Sequence, residues 1–79
     1  STKGTKMSII KVNCINETCP VPLVETRKAI RKAQAGDIIE VVGTHPASKK
    51  EIPMALEALS LELLSEEGTD TDWTLRIRR

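Results

Sequence analysis

The stretch Met54-Ala55-Leu56-Glu57-Ala58-Leu59-Ser60-Leu61-Glu62-Leu63-Leu64-Ser65-Glu66-Glu67 decides the fold. Its leucines and glutamates are strong helix formers, so by propensity it reads as one long helix stopped by Gly68. The alternative ends the helix near Ser60 and opens a strand at Leu61-Glu62-Leu63. The C-terminal segment arbitrates. There Trp73, Leu75 and Ile77 alternate with Thr74, Arg76 and Arg78, the period of a half-buried strand. Such a strand needs an antiparallel or edge partner, which favours a strand over 61–66. The expected pairing is Leu61–Ser65 antiparallel to Trp73–Ile77.

Upstream, Ile10, Val12 and Cys14 alternate with Lys11 and Asn13, again a strand. A polar break at 16–18 precedes a helix read from Pro20, with Leu23, Thr26, Ile30 and Ala33 on its inner face and Gly36 near its end. Ile38–Val42 is a short β-branched run suited to an interior strand. After the turn Gly43–Ser48, Ser48-Lys49-Lys50-Glu51 matches a capping box at the start of a second helix. Pro53 removes an early hydrogen bond there, so the regular helix is expected to settle after it, with Ile52, Leu56 and Leu59 as its buried stripe.

The order is therefore β-α-β-α-β-β, an α+β two-layer sandwich with both helices on one face of a mixed four-stranded sheet. Right-handed crossover makes the first two strands parallel, and chemistry in such units gathers beyond their carboxyl ends. The turns at 16–22 and 43–48 both lie at that edge. Cys19 and the segment 45–50 are expected to be neighbours in space although at least 26 residues apart in sequence.

The 79 residues suffice for one domain, read over 9–79, with 1–8 as a flexible N-terminal segment and Met7 as a candidate natural start. One aromatic residue, Trp73, leaves an aliphatic core. A net charge of +1 argues against nucleic acid or membrane as an electrostatic partner. No run reaches the ~18 apolar residues of a membrane span, and no signal peptide is visible. Two cysteines do not make a disulfide framework, so the expected compartment is the reducing cytoplasm.

Cys19 opens the run Cys19-Pro20-Val21-Pro22 at a helix start, where free N–H groups and the dipole favour thiolate. Pro20 and Pro22 stiffen the turn and also remove two donors. A hydrolytic cysteine needs a held base. His45 is the only histidine, and no acid or amide is obviously placed to orient it. One cysteine without acid–base machinery suits a group carrier, loaded by one protein and unloaded by another. Cys14, facing inward with Ile10 and Val12, reads as a buried apolar residue. A Cys14–Cys19 redox pair and a zinc site with His45 are the weaker alternatives, because neither spacing matches a common motif.

Lys49 and Lys50 read first as solvated lysines. Their sharper role would be to lower the thiol pKa or receive an acidic partner. Arg27, Lys28, Arg31 and Lys32 form a basic stripe on the first helix. Arg27 lies about 12 Å along the axis from Cys19, too far to assist the thiol but able to dock a partner.

These residues resemble the TusA/SirA-like family of sulfur carriers. The match runs from about Val12 to Leu64 and more loosely through the last strand. It rests on Cys19-Pro20-Val21-Pro22 and on Arg27-Lys28, Gly36, Pro46 and Ile52-Pro53 at similar spacings. The resemblance implies a sulfurtransferase in which Cys19 accepts sulfane sulfur as a persulfide from a cysteine desulfurase or rhodanese-like donor. The sulfur would pass to an acceptor such as a DsrE-like protein or a tRNA-thiolation enzyme. Relatives feed tRNA thiolation, molybdenum-cofactor or sulfur-oxidation pathways. No bound cofactor is implied beyond the transient persulfide, and the free protein is expected to be a monomer. His45, Lys49, Lys50, Arg27 and Lys28 are the candidate rim and docking residues.

Four positions, in three places along the chain, depart from the family pattern. Asn13 and Asn16 stand where an aspartate and a glycine are usual, His45-Pro46 where Asp-Pro is frequent, and Ser60 where a glycine often closes the second helix. The competing readings are a regulatory or redox-sensing module that uses Cys19, and a small RNA-binding domain. The RNA reading draws on the sandwich's likeness to the C-terminal domain of translation initiation factor three.

Overall fold

A computed structural model describes residues 8–18 and 20–79. Apart from Ser8, the expected flexible N-terminal segment lies outside the described residues. The chain forms β1 (Ile9–Cys14), α1 (Val21–Lys32), β2 (Ile38–Gly43), α2 (Pro46–Ala58), β3 (Glu62–Thr69) and β4 (Asp72–Arg78). The sheet order is β1-β2-β4-β3, with β1 parallel to β2 and both remaining pairings antiparallel. This is the mixed sheet and β-α-β-α-β-β order expected from the sequence.

The segment that decided the fold splits between Ala58 and Glu62. Leu59 closes α2, and Ser60 takes a left-handed φ of 59° that turns the chain out of the helix. Local propensity would have continued the helix. The sheet instead supplies β4 as a partner, pairing Leu63 with Ile77 and Ser65 with Arg76. Leu64 is the extra residue of a bulge, which twists this edge strand and limits further pairing. The strand runs to Thr69, longer than expected.

Alternation decides which residues go inside. Cys14, Ile39, Val41, Trp73, Leu75 and Ile77 point from the sheet to the helices and are fully buried. Ala29, Ile30, Ile52 and Leu56 meet them from above. Trp73 is the largest member, and its cross-strand neighbour is Gly43, where a Cβ would lie 2.5 Å from two ring carbons. The glycine makes room for the indole.

The helix starts differ from the sequence reading. Pro20 is the cap of α1 and Pro22 its second residue, and the helix ends at Lys32, with Gly36 (φ 93°) in the following turn. α2 begins at Pro46, so the expected capping box at Ser48–Glu51 does not form. Proline's fixed φ preorganises the first helical position, moving the start earlier. Ser48 is then inside the helix and fully buried. The helix also continues through Pro53 rather than settling after it. Only the bond to the Lys49 carbonyl is lost, and packing of Ile52 and Leu56 outweighs it. Leu59, expected in the buried stripe, is 47% exposed because it sits where the helix unwinds.

Candidate functional site

The parallel pair β1–β2 brings two loops to one edge of the sheet. After β1, Asn13 Oδ1 accepts from Ile15 N at 3.0 Å and Glu17 N donates to Cys14 O at 3.1 Å, forming a tight turn. Asn16 takes φ 65° in that turn, a left-handed conformation that asparagine tolerates better than most residues. Asn16 and Ser60, two of the departures from the pattern of the family that the sequence resembles, are the two non-glycine residues of positive φ among the described residues. The replacements keep the backbone shape that glycine would supply.

Asn16 N donates to Thr44 Oγ1 at 2.9 Å, joining the β1–α1 loop to the β2–α2 turn. The expected convergence of these loops is therefore present. Cys19 itself lies outside the described residues; the structure places its neighbours. Val21 N donates to Thr18 O at 2.9 Å, and Val24 N to Pro20 O at 3.0 Å. Val21 uses its N–H on Thr18, and Pro22 has none, so this helix start offers fewer donors than usual. Stiffness, more than a strong dipole effect, is what the two prolines supply.

His45 caps α2. Its Nδ1 accepts from Ser48 N at 3.3 Å and lies 2.9 Å from Ser48 Oγ. The His45 carbonyl accepts from Trp73 Nε1 at 3.0 Å. The core indole thereby fixes the turn beside the loop that carries Cys19. Nothing local in the sequence marks the bonds of Thr44 and Trp73, each of which spans 28 positions, and Ser48, expected as a cap, is instead the residue that His45 caps.

The basic candidates separate. Lys49 is tied to Glu66 at 3.7 Å and Asp70 at 3.3 Å, so its ammonium leans toward β3 and the β3–β4 turn. Lys50 is exposed. Lys28 pairs with Glu25 at 3.3 Å on the surface, and Arg27 faces solvent. Ile15, Val21 and Val24 are exposed apolar residues on the loop and first turn around position 19. They fall off the buried face, so the periodicity of the core gives no sign of them. An apolar side chain on a polar face was the available signal.

Cys14 is the other thiol. It has no exposed surface, and desolvation, with help from Glu25 and Glu17, pushes its pKa up. A buried, protonated thiol is a poor nucleophile, which weighs against a Cys14–Cys19 redox pair.

The architecture defines a class: a small two-layer domain whose first helix starts at Pro20-Val21-Pro22 beside a clasped pair of loops. Comparison gives the family. Residues 10–79 match the sequence model described as Sulfurtransferase TusA, and the chain belongs to that family. A relative from Archaeoglobus fulgidus is 37% identical over 66 residues, covering 84% of each chain. One from Thermotoga maritima is 40% identical over 63 residues, covering 78% of this chain and 80% of its own. Both are named as candidate sulfur carrier proteins. The crystal structure of a SirA-like protein from Desulfitobacterium hafniense superposes with a TM-score of 0.77 at 18% identity. It covers 87% of this chain and 95% of its own, and so shares the fold. No described helix is long and apolar enough to cross a membrane.

Proposed function

We propose that this protein is a cytoplasmic sulfur carrier that holds sulfane sulfur as a persulfide on Cys19. The Cys19 thiolate attacks the outer sulfur of a donor persulfide, such as that of a cysteine desulfurase or rhodanese-like protein. A new S–S bond forms at Cys19, the donor's S–S bond breaks, and the donor cysteine leaves as thiolate. No general base is required, because the leaving group is stable. The acceptor, a DsrE-like protein or a tRNA-thiolation enzyme, then takes the sulfur by the same exchange.

The observation that supports this reading is the sequence Cys19-Pro20-Val21-Pro22 within a family match over 10–79, following a loop that Asn16 N joins to Thr44 Oγ1. Exposed Ile15, Val21 and Val24, flanked by Arg27 and Lys28, supply a mixed apolar and basic rim for docking the donor and acceptor. The test is incubation with a cysteine desulfurase and cysteine, followed by intact-mass measurement. One added sulfur atom is expected, and none in Cys19→Ser. Loading that is undiminished in Cys19→Ser, or absent with every donor tried, contradicts the proposal.

A further inference from the structure

At the end of the sheet opposite the β1–α1 loop, where Arg79 meets the start of β2, lies a cleft of about 410 Å³. Its floor is aliphatic, formed by Ile30, Leu59 and Leu61, and its walls are Arg27, Arg31 and Arg79. Leu59 is half-exposed here although it belongs to the end of an otherwise amphipathic helix. Arg27 and Arg31 are four residues apart on α1 and share a face. Arg79 approaches from the end of β4, and its Nε donates to Ile30 O at 2.7 Å, which fixes the guanidinium at the cleft and leaves its other nitrogens for a ligand.

Three guanidiniums around one cleft call for negative charge, yet none of the ion pairs among the described residues involves Arg27, Arg31 or Arg79. Asp37, whose backbone carbonyl accepts from Arg79 N at 2.9 Å, uses its carboxylate on Ser8 N and Gln34 N. The other arginines of described strands behave differently: Arg76 bridges Glu40 and Glu67, and Arg78 meets Glu62. The cleft's volume lies within the roughly 300–1,000 Å³ of small-molecule sites, which pair an apolar lining with a few polar groups.

We infer that this cleft binds a small amphipathic anion, with a carboxylate between the guanidiniums of Arg27, Arg31 and Arg79 and an aliphatic body on Ile30, Leu59 and Leu61. Guanidinium is suited to carboxylate through paired N–H donors. The inference stands apart from sulfur carriage: the cleft shares Arg27 with the proposed docking rim, but its other residues lie at the C-terminal end of α1 and beyond.

The test is a titration of the full chain with octanoate followed by amide chemical shifts, with octanamide as the uncharged body and acetate as the head alone. Octanoate is expected to give saturable shifts confined to residues near 27–31, 59–61 and 79. Octanamide and acetate should each bind at least tenfold more weakly, and the octanoate affinity should fall as salt rises. Arg31→Gln should weaken octanoate at least tenfold, and Arg31→Lys should recover only part of it, with the amide spectrum otherwise unchanged. Equal binding of octanoate and octanamide would overturn the inference, as would shifts located elsewhere or no saturation at millimolar octanoate. Persulfide loading of Cys19 plays no part in this readout, so the two proposals fail independently.

Discussion

Replacing Gly43 with alanine tests whether the core indole holds the functional edge in place. A Cβ at Gly43 would stand 2.5 Å from Cζ2 and Cη2 of Trp73 and 3.1 Å from Cε2. The ring has no exposed surface, so it cannot swing outward without displacing Leu75, Ile77 or the helices above. Overpacking of this kind costs about 1–3 kcal/mol. Any shift of the indole also lengthens the 3.0 Å bond from Nε1 to His45 O, for about another 1 kcal/mol. The sum is roughly 2–4 kcal/mol, a large share of the ~4–12 kcal/mol expected for a domain of this length. At about 4–8 °C per kcal/mol, Tm should fall by at least ~8 °C. Thermal unfolding followed by Trp73 fluorescence measures this directly. The control is Gly36→Ala, where a Cβ meets nothing within 4 Å and only the φ of 93° resists, so about 1–2 kcal/mol is expected. A Gly43→Ala variant that melts within ~3 °C of the parent, or above Gly36→Ala, would refute the reasoning.

Further outcomes follow from the two thiols and two lysines. In the native protein a small alkylating agent should modify Cys19 first, with Cys14 reacting only in denaturant; mass spectrometry over time reads both, and a faster Cys14 would be contrary to its burial. Because burial raises the Cys14 pKa above its ordinary 9.0, the folded state favours the protonated thiol. Its stabilising contribution is complete below the unfolded value and is lost as pH rises through the folded one. The stability difference between the parent and Cys14→Ala, from urea unfolding, should therefore narrow between pH 8 and pH 10. Lys49→Glu would set a carboxylate beside Glu66 and Asp70 and should lower Tm, whereas Lys50→Glu, on the exposed side, should leave Tm within ~2 °C. Slower sulfur loading in Lys50→Glu alone would assign that lysine to donor docking.

The topology was legible because β4 states its period without ambiguity. A strand with Trp73, Leu75 and Ile77 inward demands partners, and that demand overrode the helical propensity of Leu61–Glu67. Boundaries were less legible where two local rules compete. Ser48–Glu51 has the side chains of a capping box, but Pro46 two residues earlier fixes the helical φ first, and His45 becomes the cap. Leu59 obeys the helical period and yet is exposed, because Ser60 turns left-handed immediately after it. At the candidate site, the motif and the meeting of two loops could be read from spacing and handedness. The clasp from Asn16 to Thr44 and the indole bond to His45 could not, since each joins residues 28 positions apart through geometry that only the folded sheet defines. Lys49 and Lys50 look equivalent in sequence and part company only when the β3–β4 hairpin offers Glu66 and Asp70 to one of them.

The most direct test of sulfur carriage is to locate the sulfur. After loading by a cysteine desulfurase, the protein is trapped with an alkylating agent, digested and mapped by tandem mass spectrometry. A persulfide adduct is expected on the peptide containing Cys19, with no added sulfur at Cys14. A persulfide found on Cys14, or spread evenly over both cysteines, would contradict it.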